Sequence, residues 1–386
     1  MMTGQNIICF AKDWREDPTS NNHVMKLLAR DNRVLWINSI ATRTPSMTSG
    51  RDVTKMVSKL GRFVRGLDQV QDNLWVFTPI VLPFPHSRLA QAANREIVKQ
   101  TIRGLRLRLG MDQFQLWTFL PTAAPYIGSL GESIAVYYIT DEFSQFSELD
   151  SDKIAAMERD LCQRADVVFV TANTLLEAKS VYNAETHLAS HGVDHTHFSR
   201  ALDDSVSIPA EVANLKPPVL GFFGLIHDWV DLATIEHLAR NRPQWSIVLI
   251  GKATVDTSRL DNLGNVHMLG RKPYEHLPGY CRAFSVALIP FVVNELTRHV
   301  NPIKLREYLS AGLPVISSPL PEVTHYQDTC YLASTPDDFL GACERALAED
   351  SDARRKQRCE AMSGETWDQK VAELGNHVMR VSRSRG

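Results

Sequence analysis

In "NPIKLREYLSAGLPVISS", residues 301 to 318, Lys304 and Glu307 stand three residues apart at the start of a predicted helix. The flanking residues punctuate that helix: Asn301 can cap, Pro302 suits the first helical position, and Gly312 followed by Pro314 is a stop. A lysine in a first turn is out of place, because unpaired N–H groups and the macrodipole already present positive charge there. An anion held against the N–H groups of Ile303 and Lys304 makes the placement favourable, and a diphosphate carries the charge to match. Glu307 shares that face, about 4.5 Å further along the axis. Its carboxylate can accept two hydroxyls at once, which suits the vicinal diol of a ribose joined to the diphosphate. An ordinary surface ion pair, worth roughly a few tenths of a kcal/mol, is the alternative.

Two other strand ends could serve the same ligand. "LGFFGLIHDW" (220 to 229) ends a strand at Gly224, where backbone can approach a phosphate closely. "HMLGRKPY" (267 to 274) ends another at Gly270, with backbone groups that could read a base edge and with Arg271 or Lys272 in reach of phosphate. Plain turn geometry and a solvated basic turn account for these stretches as well.

The elements that must position these residues are legible as an alternation. "NIICFA", "RVLWINS", "LWVFTP", "FQLWTF", "IAVYYIT" and "DVVFVTA" read as strands, with helices near 22–31, 88–109 and 151–164 between them. "RALDDSVSIPAEVANLKPP" reads as a linker, after which the pattern restarts. "PVLGFFG", "WSIVLIG", "NVHMLG", "VALIPF" and "PVISS" are strands, with helices over 229–241, 274–282 and 302–310. Such alternation predicts an α/β fold of two doubly wound Rossmann-like domains, with ligand in a central cleft at the carboxyl ends of the strands. The expected domains are 1–205 and 214–364, followed by a helix within 365–386 that packs on either one.

Composition narrows the class. The 386 residues carry a net charge of -2, which gives no general case for nucleic acid. Residues 1–110 are locally basic, with 17 Lys+Arg against 8 Asp+Glu. The six cysteines lie scattered without CxxC pairs, so neither a zinc site nor a disulfide framework is expected, and a reducing cytoplasm is the simplest setting. No apolar run is long enough to span a membrane, and no signal-peptide core follows the N-terminus.

Taken in order, "GFFG...DW", "IVLIGK", "NVHMLGRKPY...LPGY", "VALIPF...NELT" and "NPIKLREYLSAGLPVIS" resemble the nucleotide-sugar half of a GT-B-fold glycosyltransferase close to family 4, of polysaccharide-biosynthesis type. "HGVDHTHF" resembles the "NGVD...F" element that precedes the linker in that family. The resemblance implies an activated sugar nucleotide, with a UDP-sugar favoured, on the second domain and an acceptor on the first, with no essential metal or other cofactor. It assigns Glu307 to the ribose, Asn301, Pro302, Ile303 and Lys304 to the diphosphate, Gly270 to Lys272 to the base, and Asn294 and Thr297 to the sugar. Three departures stand out. His299 occupies the place eight residues before Glu307 where the family usually has a glutamate. "GLIHDWVD" offers His227 and Asp228 in place of an Arg and a Lys, and His191 replaces an asparagine. Neutralising a leaving diphosphate then falls to Lys304, Lys252 or Arg271 with the helix dipole.

An inverting transfer needs a general base at a strand end of the first domain. "VYYITDEFSQF" (136 to 146) places Asp141 and Glu142 there, Asp141 being the first choice, with capping of the next segment as its rival role. His23, opening the first helix, is the other candidate. In "RDVTKMVSKLGRFVRGL" (51 to 67), Arg51, Lys55, Lys59, Arg62 and Arg65 interleave with apolar residues as in a basic interfacial helix. This motivates a peripheral contact with the inner face of the cell membrane and a glycan or lipid-linked acceptor; an ordinary solvated basic face explains the pattern equally. The expected function is a glycosyltransferase of surface or exported polysaccharide synthesis. A sugar-nucleotide 2-epimerase or a non-catalytic GT-B binding partner are the alternatives.

Overall fold

The computed structural model describes residues 2–16, 18–39, 66–82, 88–147 and 149–385. Its chain divides into two compact units, one formed by Met1–Ala189 with Val371–Gly386 and the other by Ser190–Lys370. The basic segment 51–67 lies outside the described residues except for Gly66 and Leu67.

The first unit is built on a sheet of β1 (Asn6–Phe10), β2 (Arg33–Ile37), β3 (Asp68–Gln71), β4 (Leu74–Phe77), β5 (Gln115–Thr118), β6 (Ile134–Ile139), β7 (Val167–Val170) and β8 (Thr186–Leu188). Among the described residues the strand order is β3-β4-β2-β1-β5-β6-β7-β8, parallel throughout except for β3 against β4. Every residue of β6, "IAVYYI", is buried, the continuous apolar run of a strand covered on both faces. The helices α1 (Ser20–Leu28), α2 (Arg88–Leu109), α3 (Ser151–Arg164) and α4 (Asn173–Ser180) make the crossovers.

The second unit carries β9 (Val219–Phe223), β10 (Ser246–Ile250), β11 (Val266–Gly270), β12 (Val286–Ile289), β13 (Val315–Ser317) and β14 (Tyr331–Leu332), all parallel, in the order β11-β10-β9-β12-β13-β14. The order reverses between β9 and β12, and at such a switch point the crevice outside the strand ends accepts ligands. The helices of interest here are α5 (His195–Ser199), α6 (Leu232–Asn241), α7 (Leu277–Ala283), α8 (Glu295–Arg298), α9 (Ile303–Ser310) and α10 (Pro336–Glu349). A last helix, α11 (Trp367–Arg385), begins in the second unit and continues into the first.

The division between units falls at Ala189, ahead of the expected boundary at 205. "HGVDHTHF" belongs to the second unit: Val193 pairs with Thr366, and Phe198 stacks on Phe223 with ring centroids 6.0 Å apart. The expected linker is likewise docked on that unit. Arg282 of α7 donates to the carbonyls of Asp204 and Val206 at 2.7 and 2.6 Å, and Lys272 and Tyr280 both reach Glu211.

Packing in the second core is tight at Gly221, in the middle of β9. A Cβ there would stand 2.1 Å from Cδ2 and Cε2 of the buried Phe284 ring. Gly221→Ala is therefore expected to lower stability by about 1–3 kcal/mol through overpacking, while Gly264→Ala, with open space around it, leaves the denaturation midpoint nearly unchanged. Urea unfolding of the two variants checks this.

Candidate functional site

Helix α9 has Pro302 as its N-cap, whose side chain offers no acceptor, so the first turn carries no side-chain cap. This differs from the expectation that Asn301 caps and Pro302 opens the helix. Asn301 is instead buried, accepting at 2.7 Å from Nη1 of Arg306, whose guanidinium sits over the Tyr326 ring. A buried arginine needs acceptors, and Asn301 supplies one from the loop.

What fixes α9 is Tyr308. Its ring packs edge-on against Phe223 at the end of β9, with centroids 4.6 Å apart, and its hydroxyl accepts the Phe223 N–H at 2.8 Å. One turn earlier, the Lys304 side chain lies across Gly224, the residue that follows β9. A Cβ on Gly224 would fall 2.1 Å from Lys304 Cε and 2.7 Å from Nζ, and its φ of 137° is one that L side chains rarely adopt. Beneath it, Gly251 at the end of β10 has no room for a side chain, since a Cβ there would meet the Gly224 carbonyl oxygen at 1.8 Å. The chain is thus bare at consecutive strand ends, with an ammonium group laid over it. Gly224, Lys304 and Glu307 are brought together within one unit.

Glu307 is 6% exposed. Burial pushes its carboxyl up to about 7; Lys304 opposes that shift and Asp194 adds to it. Asp194 is the N-cap of α5, accepting the His197 N–H at 3.0 Å. Tyr274 completes this cluster: burial, then the charges of Glu307 and Asp194, push its phenol above the ordinary range. His197 stacks on Tyr274 at 4.7 Å and bonds its carbonyl oxygen through Nε2 at 3.0 Å. Asp194 and Tyr274 were missed as site residues, although the "HGVD" resemblance held the signal for Asp194.

Other candidates are placed differently. Gly270 and Arg271 stand exposed at the end of β11, whereas Lys272 is paired with Glu211 at 2.8 Å and so is held by a carboxylate of its own unit. Asn294 and Thr297 form the capping box of α8. The Thr297 hydroxyl donates to the Val292 carbonyl at 2.6 Å and accepts the Asn294 N–H at 2.9 Å, so this fully buried group is committed to loop geometry rather than to a sugar. His299 is half-buried with Nδ1 enclosed and unpartnered. Beside the strand ends, a cavity of about 390 Å³ is lined by His227, Asp228, Asp256, Ser258, Arg259 and Val292, among others. His227 Nδ1 and Asp228 Oδ1 are 2.5 Å apart there, and the imidazole stacks on Trp229.

In the first unit, Asp141 lies half-buried just past the end of β6. The N-cap of the short turn that follows is Glu142, so Asp141 does not cap it. Glu142 is no open base either. It is buried, accepts from Ser144 Oγ at 2.7 Å and pairs with Lys179 Nζ at 2.6 Å. Lys179 also holds Glu158 at 2.5 Å, whose other oxygen accepts from Tyr137 at 3.0 Å. His23 sits half-buried within α1, past the Thr19 N–H that bonds Asn22 Oδ1 at 3.1 Å.

The two doubly wound sheets, the second with bare glycines and a lysine-bearing helix at its switch point, define a GT-B fold. Residues 217–349 match the family model of glycosyl transferases group 1. A putative teichuronic acid biosynthesis glycosyltransferase, TuaH, of Bacillus subtilis is 27% identical over 234 residues, 57% of this chain; that match spans 58% of the length of the curated relative. Sucrose-phosphate synthase from Thermosynechococcus elongatus superposes with a TM-score of 0.71 at 16% identity, over 98% of this chain and 100% of that one. Anabaena Alr3699/HepE in complex with UDP gives 0.65 at 14%, over 98% and 100%. These likenesses carry the fold.

Because the folded Glu307 carboxyl titrates near 7 and an unfolded one near 4.3, the folded state binds the extra proton between those values. Stability at this site is therefore full below about pH 4.3 and falls as pH rises towards 7. Glu307→Gln removes that slope, so its melting temperature should exceed that of the natural protein at pH 8 and match it at pH 4. Thermal melts across this range read the difference.

Proposed function

We propose that the protein is a glycosyltransferase that moves a sugar from a nucleoside-diphosphate sugar, with UDP as nucleotide, to a glycan or lipid-linked acceptor in surface or exported polysaccharide synthesis. The observation that carries this reading is the Lys304 ammonium laid over Gly224 at the uncapped start of α9. A diphosphate there meets the first-turn N–H groups, the helix dipole and one point charge together. Glu307 accepts the ribose hydroxyls, and Gly270 and Arg271 lie at the strand end assigned to the base. UDP is bound by HepE, and teichuronic acid is the product class in the TuaH description; both support the donor and acceptor classes for this chain.

In the reaction, the bond between the anomeric carbon and the diphosphate oxygen breaks, and its electron pair leaves with UDP. Charge grows on that oxygen as the bond lengthens, which is where Lys304 and the α9 N-terminus act. The acceptor oxygen bonds the anomeric carbon, and in an inverting transfer its proton passes to Asp141, with His23 as the second choice of base. Glu142 serves by holding the loop that bears Asp141. Charge neutralisation by the chain itself makes the reaction independent of a metal ion. The basic segment 51–67 contacts the inner face of the membrane, where the acceptor resides. Among the described residues no helix is long and apolar enough to cross a membrane.

Lys304→Ala is expected to lower kcat about 10²–10³-fold, the scale of losing one preorganised charge-stabilising group, with Glu307→Ala acting mainly on donor affinity. Saturating UDP should raise the melting temperature, by the equivalent of about 2.7 kcal/mol at a hundredfold excess over Kd. A chelator should leave turnover unchanged. Normal turnover by both variants, with folding intact, would refute the site; an epimer formed from UDP-sugar alone would refute the transfer.

A further inference from the structure

The chain passes between its two units twice, at Ala189–Ser190 and at Lys370–Val371. Within the second unit the two passages are laced together by backbone: the Val193 N–H donates to the Glu365 carbonyl at 2.8 Å and the Trp367 N–H to the Val193 carbonyl at 3.3 Å. Within the first unit the fastening is made by side chains. Val371, Leu374, Val378 and Val381 form the buried stripe of α11. Beside that stripe His377 stacks on His187 of β8 with ring centroids 4.4 Å apart, and the two imidazoles lie 6.1 and 6.3 Å from the buried Phe169 ring of β7. His187 stands two residues ahead of the first passage. Nδ1 of His377 is enclosed and has no hydrogen-bond partner among the described residues, so a proton there would make a buried N–H without an acceptor. Arg380, one turn further along α11, donates to Glu185 at 2.6 Å. His187 Nε2 lies 2.9 Å from the same carboxylate and 3.3 Å from the Arg380 guanidinium.

We propose that this histidine pair is a pH-sensitive fastener: acid charges both imidazoles and loosens residues 371–385 of α11 from the first unit, while the backbone lacing in the second unit is unchanged. Neutral, the two rings pack as aromatic surface on Phe169. Charged, they set two like charges 4.4 Å apart, with a third cation on Arg380 beside them. The acids that face them are Glu185 on β8 and Glu373, exposed one turn before His377 on α11. Arg380 and then His187 hold the Glu185 carboxyl down to about 2, so it gains no charge in the range where histidine titrates. Desolvation, then the charges of His187 and Arg380, keep the His377 imidazole below its ordinary range, and Glu185 and Glu373 oppose this more weakly. A group held this way in the fold contributes stability that is full above about pH 6.5 and is lost as pH falls through the folded value. Glu307 shifts the second unit in the opposite sense, so the two effects separate by location. No feature of the donor site enters this inference.

Hydrogen exchange of the full chain, read by mass spectrometry on peptides within 371–385 and on β6, tests this between about pH 8 and about pH 5. After allowance for the intrinsic pH dependence of amide exchange, acid should cut the protection of 371–385 several-fold and leave that of β6 unchanged. His377→Phe keeps an aromatic ring against Phe169 and cannot ionise, so it should match the natural protein at the alkaline end and keep that protection at the acid end. His187→Gln keeps an amide for Glu185 without a charge and should lessen the acid loss. Equal protection of 371–385 at the two ends, an undiminished acid loss in both variants, or an equal loss in β6 overturns the inference.

Discussion

One contact governs the second unit: an aliphatic lysine stem resting on backbone that has no side chain. For Lys304 to lie across the end of β9, Gly224 must be bare, and Gly251 must be bare for the Gly224 carbonyl to sit where it does. The helix that delivers the lysine must also be fixed in depth, and the Tyr308 hydroxyl does this by taking the Phe223 N–H. A strand end, a helix start and a cation are thereby locked to one another by a hydrogen bond and two steric exclusions. The result concentrates positive potential where backbone N–H groups already point.

The carboxylate three residues on answers to the same packing. Removing Glu307 from water raises its proton affinity, and Asp194, recruited from the segment ahead of β9, raises it further. Lys304 works against both. In the free protein this carboxyl is costly to ionise, and a ligand bringing hydroxyl donors would relieve that cost. Burial thus leaves the second unit with a carboxyl whose ionised form is disfavoured beside an ammonium that favours it.

The first unit handles charge in the opposite way. Glu142, Glu158, Lys179 and Tyr137 satisfy one another below the end of β6. Desolvation first pushes Glu158 upward, while Lys179 is held above its ordinary range because the two carboxylates outweigh the effect of its burial. Such a closed network fixes the neighbouring turn without offering a reactive group.

The order of strands and crossovers was legible because buried parallel strands are continuous apolar runs, and α2 and α3 were legible to the residue from their periodicity. β8 and β14, of three and two residues, are too short to carry any period, and the antiparallel β3 is polar at its edge. By itself the sequence determined two doubly wound halves and one lysine misplaced by helix rules, which marked the strand-end site through residue type and spacing. Only the tertiary structure decided how the individual side chains are used. Asn301, Thr297, Lys272 and Glu142 each have the right chemistry for a ligand, yet each is held by a neighbour distant in sequence or by its own loop. Spacing reports which groups share a local face, whereas desolvation and long-range pairing settle whether a polar group is free to act, and those depend on the packed chain.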